Sequence, residues 1–498
     1  MSTHHYIACD LGAESGRVML GTLANEHLTI EEIHRFPNGA IAIGESMRWD
    51  VLRLLQEIKI GLRKVAARGI AVSSVSCDSW GVDYVLLQGN EPMLTAPFHY
   101  RDGRTDGGFE RAFPIVPADE IFAETGIQFM TINTLYQLHA DLLQRRMVLN
   151  AAEQFLTMGD YFNFLFSGVR KVEESLASTT QLYNPQQRGW SKKLIEKFGL
   201  PERIFPEVVP SGTKLGPLLP ALAVETGLQN VQVVASCSHD TGAAVAAVPA
   251  QGDDWAYLSS GTWSLLGIES STPIITAKSR QYNFTNEVGY GGSIRFLKNI
   301  IGLWVVQECR RVWAKAGQEY NYDQLTEMAE SALPLKVLLD LRDDRFAKPD
   351  NMPKKIVDYC QETNQPTPTT PGEFVRCVLE SLALLYRKTL GQLEEVTGRK
   401  LLTLHIVGGG SKNQLLNQLS ANATGRTVIA GPVECTAIGN VLIQAIALGH
   451  LPSLAALRQV VRNSFPTSRY EPQNSELWEE VYKKFREMQS NLMQAKIS

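Results

Sequence analysis

The sequence predicts an α/β protein of two domains, each a mixed sheet covered by helices. Three observations carry this. At 498 residues the chain exceeds the size at which one core keeps growing. Its opening reads strand, tight turn, strand, strand, helix, strand. The same strand–turn–strand opening then returns near residue 250, as in a duplicated domain.

The elements follow in order. Tyr6 to Leu11 is apolar, DLGAESGR turns, Val18 to Leu23 is apolar again, and Leu28 to Phe36 roughly alternates. Val51, Leu52, Leu54, Leu55, Ile58, Ile60 and Leu62 trace a helix face that ends near Gly69, and Ala71 to Cys77 returns as a strand. Residues 128–227 are less regular and read as an insertion. Val231, Val233 and Val234 form a short strand. Val248 to Gly252 is the linker expected between domains 1–248 and 249–498. Beyond it, Trp255 to Leu258 and Trp263 to Ile268 flank the turn Ser259–Thr262. Phe374, Cys377, Val378, Ser381, Leu382, Leu385 and Tyr386 keep helical spacing. PTPTTPG (366–372) is an exposed loop. Leu401 to Val407 and Thr427 to Ala430 read as strands, Asn413 to Ala423 and Ala437 to Leu448 as helices, and Asn474 to Lys496 as a charged surface helix.

Composition narrows the function classes. Apolar content of 44%, charged content of 20% and a net charge of −4 describe an ordinary globular chain with no basic footprint for nucleic acid. No apolar run reaches the ~18 residues of a membrane helix, and MSTHHYIACD lacks the charged and apolar regions of a secretory signal. His4 and His5 are too few to argue for a metal. The seven cysteines contain no CxxC pair, which removes zinc-ribbon and thioredoxin-like readings. Cys9, Cys77, Cys237 and Cys435 lie in or beside apolar runs, as buried small residues do. Cys360 and Cys377 could close a short loop, although a cytosol favours reduced thiols.

Chemistry centres on ASCSHDTGAAV (235–245). Asp240, after a strand and followed by small residues, is placed to take a proton from a bound alcohol, or else to cap a helix. As a general base it is expected to have an ordinary carboxylate pKa near ~4. DLGAESGR (Asp10 to Arg17) puts a carboxylate at a strand end before a turn whose freed N–H groups make a nest for phosphate oxygens. Ser15 could add a hydroxyl and Arg17 a positive charge. SSGTWS (259–264) offers a second such turn, and VGGGSKN (407–413) is a third glycine turn, opening a helix, that could pass close to an adenosine. Two phosphate turns suit a triphosphate whose Mg²⁺ is carried mainly by phosphates, water and a carboxylate, here Asp10. No Walker loop is present. CDSWGVD sets Trp80 beside Gly81, either a flat face for a sugar or a core ring with a turn glycine. HYRDGRT crowds Arg101, Asp102 and Arg104, as an ion-pair network on a cleft wall or a solvated surface cluster.

On DLGAESGRVML, DSWGVDYVLL, YRDGRT, GIQFMTINTLYQL, ASCSHDTGAAV, AYLSSGTWSLLGIES, LKNIIGLWVVQE, LHIVGGGSKNQLLNQL and VIAGPVE, the chain resembles the FGGY carbohydrate kinases of the actin-like ATPase superfamily, from about Tyr6 to Val460. The resemblance implies two ribonuclease-H-like domains with a cleft between them. It implies that Ala13, Glu14, Ser15, Gly16 and Arg17 bind ATP phosphates with Thr262, that Asn299, Gln307 and Gly409 lie on the nucleotide side, and that Gly81, His239, Asp240 and Thr241 meet the sugar, with Trp80 beside them. Asp240 would be the proton acceptor. Within the family the motifs are nearest to members acting on L-rhamnulose, implying ATP-dependent phosphorylation of its 1-hydroxyl, with Mg²⁺, in the cytoplasm. The partners implied are a sugar and ATP, without nucleic acid or membrane, in a monomer or homodimer.

Two stretches depart from the family pattern. Gln418–Asn422 replaces a usual QxxAD, and Gly159 stands where proline is usual before Asp160–Tyr161. Another ketose or polyol kinase would share Asp240 and both turns. A chaperone-like ATPase of the actin fold would instead respond to polypeptide, and the chain shows no long peptide-binding β-domain.

Overall fold

A computed structural model describes the backbone of residues 3–94 and 96–497 and the side chains through residue 491, apart from that of residue 95. It divides into two compact units. The first comprises Met1–Pro249, Glu269–Leu297 and Glu434–Phe465; the second comprises Ala250–Ile268, Lys298–Val433 and Pro466–Ser498.

The first unit is built on a six-stranded mixed sheet. Strands β1 (His4–Leu11), β2 (Ser15–Ala24) and β3 (His27–Pro37) form an antiparallel meander. After helix α1 (Val51–Ala66), β4 (Val72–Ser79) runs parallel to β1. The edge hairpin of β5 (Thr213–Pro217) and β6 (Gln232–Ala235) places β6 parallel to β4. Spatial order is therefore β5-β6-β4-β1-β2-β3. Helix α1 starts where Asp50 accepts the Arg53 N–H at 3.1 Å, an N-cap bond.

Both faces of the sheet are covered, and glycines set the approach. Val18 and Gly21 are three residues apart on β2 and so point to opposite faces. A Cβ on Gly61 of α1 would fall 2.5 Å from Val18, and one on Gly21 would fall 2.5 Å from Val441 of the helix Cys435–Ala447. That helix also reads the strands chemically. Gln444 donates to the Ile7 carbonyl at 3.0 Å and accepts from the Ser74 hydroxyl at 2.6 Å. Ser74, Ser76 and Ser79 of β4 are thus buried with partners, as polar groups in a core must be.

Residues 128–227, expected to be irregular, contain ordered helices such as Thr134–Gln144 and Met158–Ser167. Several of their side chains, with Tyr84, Leu86 and Ala112, form a core cluster of their own. The HYRDGRT cluster is no solvated surface. Asp102 and Arg104 are buried, Asp102 accepts from the Met47 N–H at 2.7 Å, and Arg104 lies 3.4 Å from Asp141.

In the second unit β7 (Trp255–Ser260) pairs antiparallel with β8 (Trp263–Ser270) and in parallel with β9 (Thr403–Val407). Parallel β10 (Thr427–Ala430) and antiparallel β11 (Ser468–Tyr470) extend it, so this sheet too is mixed. The long amphipathic segment is the helix Pro371–Thr397, opened by a Thr370–Glu373 capping box and closed by Gly398 at φ 66°. The last helix, Ser475–Ile497, buries Trp478, Val481 and Phe485, so only one side of it faces solvent. All seven cysteines are buried free thiols, and no bridge joins Cys360 to Cys377. Among the described residues no helix is long and apolar enough to cross a membrane.

Gly439, inside the helix Cys435–Ala447, tests this packing, because a Cβ there would lie 1.9 Å from the Ala243 carbonyl oxygen. Overpacking costs about 1–3 kcal/mol, against at most about 1 kcal/mol that alanine adds in helix propensity. Gly439→Ala should therefore lower the urea midpoint while leaving the m-value unchanged.

Candidate active site

Three aspartates sit at the carboxyl ends of three neighbouring parallel strands. Asp10 is near the end of β1, Asp78 is its register partner on β4, and Asp240 follows β6 as the first residue of helix α2 (Asp240–Ala246). In open α/β sheets ligands bind at these strand ends, where the connecting loops diverge. The helix-cap alternative is displaced by one position, since His239 is the N-cap and Asp240 lies inside the first turn.

The loop between β6 and α2 is held by hydrogen bonds from four sides. Ser79 N–H donates to the Ser238 carbonyl at 2.9 Å, and Ser236 N–H to the Ser76 hydroxyl at 3.3 Å. Ser238 N–H donates to Glu173 Oε2 at 2.9 Å, and His239 N–H to the Ser175 hydroxyl at 3.0 Å. Glu173 is fully buried, and burial, then the nearby Asp160 charge, pushes its pKa up to about 8. The glycine at 159 also has a local reason: a Cβ there would lie 3.0 Å from the Ser238 carbonyl.

Asp240 Oδ1 accepts from the Thr241 N–H at 2.5 Å and from the Thr241 hydroxyl at 3.0 Å. Its side chain keeps 28% exposure, whereas that of Asp10 keeps 7% and Asp78 is fully buried. Its pKa departs from the ordinary value expected from sequence. Burial first, and the Asp10 charge second, push it up to about 7. Asp78 is raised well above the usual carboxylate range by burial and by Asp10, opposed by a hydrogen bond from Asn440.

Arg17 offsets part of this negative charge, because its guanidinium pairs with both Asp10 and Glu434. The turn before it is tied down: Gly12 N–H donates to the Ser15 carbonyl at 3.0 Å, and Asn38 donates to the carbonyls of Gly12 and Glu14, each at 2.8 Å. Glu14 is exposed, Ala13 and Ser15 are half-buried, and Gly16 is buried. Gly16 is dictated by packing, since a Cβ would fall 2.2 Å from the Phe36 ring.

Trp80 and Gly81 follow β4. The Trp80 ring is only 6% exposed, packs on Trp49 at 4.0 Å between centroids, and donates to buried Asp83 at 3.0 Å. A Cβ on Gly81 would lie 3.1 Å from the Thr179 hydroxyl. Val82 has φ 68°, a strained backbone for a β-branched residue, held by Thr134 and Gln137 donating to its carbonyl.

In the second unit the β7–β8 turn receives backbone donors: Gly302 and Trp304 N–H bond the Thr262 carbonyl at 3.1 and 3.2 Å. Gln307 lies one turn into the helix Trp304–Lys315, and its buried Oε1 has no hydrogen-bond partner. The glycine turn after β9 packs on the end of β7, where a Cβ on Gly410 would meet the Ser260 hydroxyl at 2.0 Å. Gly409 itself is exposed with open space around it. Asn299 is half-buried on the strand Ile294–Ile301. Among the described residues no group of three His, Cys, Asp or Glu side chains is arranged to hold a metal by itself.

Asp78, Glu173, Glu434 and Arg295 also belong to this first-unit cluster, and Glu173, Glu434 and Arg295 carry no sequence signal of their own. Only Asp78, at a strand end like Asp10, offered one.

Comparison with known proteins follows the same division. The model for the FGGY family of carbohydrate kinases, N-terminal domain, matches residues 5–247, and that for the C-terminal domain matches residues 256–448. The rhamnulokinase of Bacteroides thetaiotaomicron is 43% identical over 97% of this chain and 99% of its own. That of Bacillus subtilis is 40% identical over 94% and 96%. Among solved structures, a ligand-bound xylulose kinase from Lactobacillus acidophilus superposes with TM-score 0.80 at 14% identity, over 99% of this chain and 100% of its own. Plasmodium falciparum glycerol kinase with ADP superposes with TM-score 0.77 at 12% identity, over 99% and 98%.

The carboxylate cluster makes a titration prediction. Asp10→Asn removes the second-largest cause of the raised Asp240 pKa, so the pKa should fall from about 7. Burial remains, so it should stay above the ordinary ~4. Carboxyl carbon shifts of labelled aspartate, followed against pH, would read the change.

Proposed function

The chain belongs to the FGGY family of carbohydrate kinases, and from that premise we propose that it transfers the γ-phosphoryl group of ATP to the 1-hydroxyl of L-rhamnulose, in the cytoplasm. Products are ADP and L-rhamnulose 1-phosphate. The sugar assignment rests on the roughly two-fifths identity to rhamnulokinases along nearly the whole chain. The residue assignment rests on one observation: a partly exposed carboxylate at a strand end, oriented by Thr241 and raised to about 7.

A phosphoryl transition state is loose, so positioning and charge neutralisation dominate. Asp240 orients the entering hydroxyl and takes its proton as the bond to phosphorus forms. A base with a pKa near the working pH does this best, because about half of it is ionised and the ionised form holds a proton well. Gly81, His239 and Thr241 border the sugar, with Trp80 forming the floor behind Gly81. Backbone N–H groups of Ala13 to Gly16, with Arg17, are assigned to the phosphates of ATP, as is Thr262. Asn299, Gln307 and Gly409 take the nucleoside, and the unpartnered Gln307 Oε1 suits an amino donor.

The residues also fit a magnesium ion. Asp78 Oδ1 is buried beside Asp10 with no hydrogen-bond partner. Mg²⁺ typically keeps several waters and uses one or two carboxylates plus phosphates, so Asp10 would hold it through water. When bound, it supplies charge neutralisation on the β- and γ-phosphates.

Asp240→Asn should lower kcat about 10²–10⁴-fold with little change in KM for sugar or ATP. Near-normal turnover would remove Asp240 from the role. The wild-type kcat/KM should fall below about pH 7, since the ionised form is active and its pKa is raised. An acid limb near pH 4 would contradict this. A panel of L-rhamnulose, L-fuculose, D-xylulose, L-ribulose and glycerol, each with ATP, tests the sugar. L-rhamnulose should give the highest kcat/KM.

A further inference from the structure

Arg295 is a fully buried arginine on an apolar strand, Ile294–Ile301. It lies directly across the hairpin from Glu287, its register partner, and Nη1 is 3.2 Å from Glu287 Oε2. Nε and Nη2 both donate to the Val288 carbonyl at 3.2 Å. The remaining direction of the guanidinium is spent on His239, whose Nδ1 lies 3.0 Å from Nη2. On the other edge of the same imidazole, Nε2 lies 3.4 Å from Asp240 Oδ1.

A guanidinium has donors only and does not deprotonate in a protein. The ring nitrogen facing it must therefore present a lone pair. Glu287 Oε2, at 3.5 Å from Nδ1, would favour the opposite arrangement, but it is farther away and already pairs with Arg295. The other charged group facing the ring is Asp240, from α2, while Ser175 meets only the His239 backbone N–H. Burial and the Arg295 charge act together to hold the imidazole neutral well below its ordinary range.

We propose that Arg295 is a positioning residue: it locks His239 in the neutral tautomer protonated at Nε2, so that a fixed hydrogen-bond donor stands beside the Asp240 acceptor. The two side by side would take a hydroxyl that donates to Asp240 and a neighbouring ligand oxygen that accepts from His239. That the ligand is a sugar rests on the function proposed above. The tautomer does not.

The full chain with ¹⁵N-labelled histidine, without sugar or nucleotide, tests it directly. Two-bond ¹H–¹⁵N spectra, with His239 assigned by its loss in His239→Gln, should show unprotonated Nδ1 and protonated Nε2 from about pH 5.5 to about pH 8. Protonated Nδ1, or a ring that titrates in that range, overturns the proposal. In Arg295→Met the ring should begin to titrate toward ~6.5 and kcat should fall about 10–100-fold. Arg295→Lys, also only a donor, should recover the wild-type tautomer and part of the kcat. A folded Arg295→Met that keeps the wild-type spectrum overturns the proposal. If that variant does not fold, the wild-type and lysine spectra decide. Failure of the sugar panel with the expected spectra would overturn the substrate and leave the tautomer standing.

Discussion

Like charges held out of water are the constraint on which the first unit depends. Asp10 and Asp78 are register partners near the ends of adjacent parallel strands, and Asp240 opens the helix that follows the next strand. Two responses are visible. Arg17 and Asn440 bring positive charge or hydrogen-bond donors to Asp10 and Asp78. Burial first, and the Asp10 charge second, still raise the proton affinity of Asp78 and of Asp240. The same crowding that strains the site therefore adjusts its chemistry. Asp240 keeps the largest solvent-facing edge of the trio.

Behind that trio stands a layer of buried polar groups whose purpose is geometric. Glu173 and Ser175 hold the backbone of Ser238 and His239, while Glu287 and Arg295 hold the His239 ring. A buried carboxylate or guanidinium is costly unless satisfied, and here each satisfies a segment adjoining Asp240. Gly159 and Gly242 let neighbouring chain approach the same loop, within reach of Ser238 and Cys237.

Much of the fold was legible because its signals are local. The β1–β2 turn, the helix from Val51 and the capped helix from Pro371 each carry their own periodicity and end residues. Asp10 and Asp240 were legible for the same reason, as acids at strand ends among small residues. Asp78 was overlooked beside Trp80, because only strand register sets it opposite Asp10. Arg295 was invisible because an arginine in a strand ordinarily points to solvent, and its burial depends on Glu287 across the hairpin and on His239, 56 positions away. The Asp240 pKa could not be read from composition, since it follows from burial and a neighbour 230 positions away. Trp80, legible as a ring near a glycine, has its indole N–H committed to Asp83.

The first unit recruits Glu269–Leu297 and Glu434–Phe465 as well as the opening 249 residues. During synthesis, then, the carboxylates are translated long before Arg295, Glu434, Asn440 and Gln444, the side chains that steady them and their strands. A nascent chain halted at the Pro249 boundary would carry the complete six-stranded sheet with one face stripped of the helix Cys435–Ala447. Vectorial folding from the ribosome cannot finish this half first. The nascent sheet must wait, guarded or loosely collapsed, until the chain has emerged through Phe465.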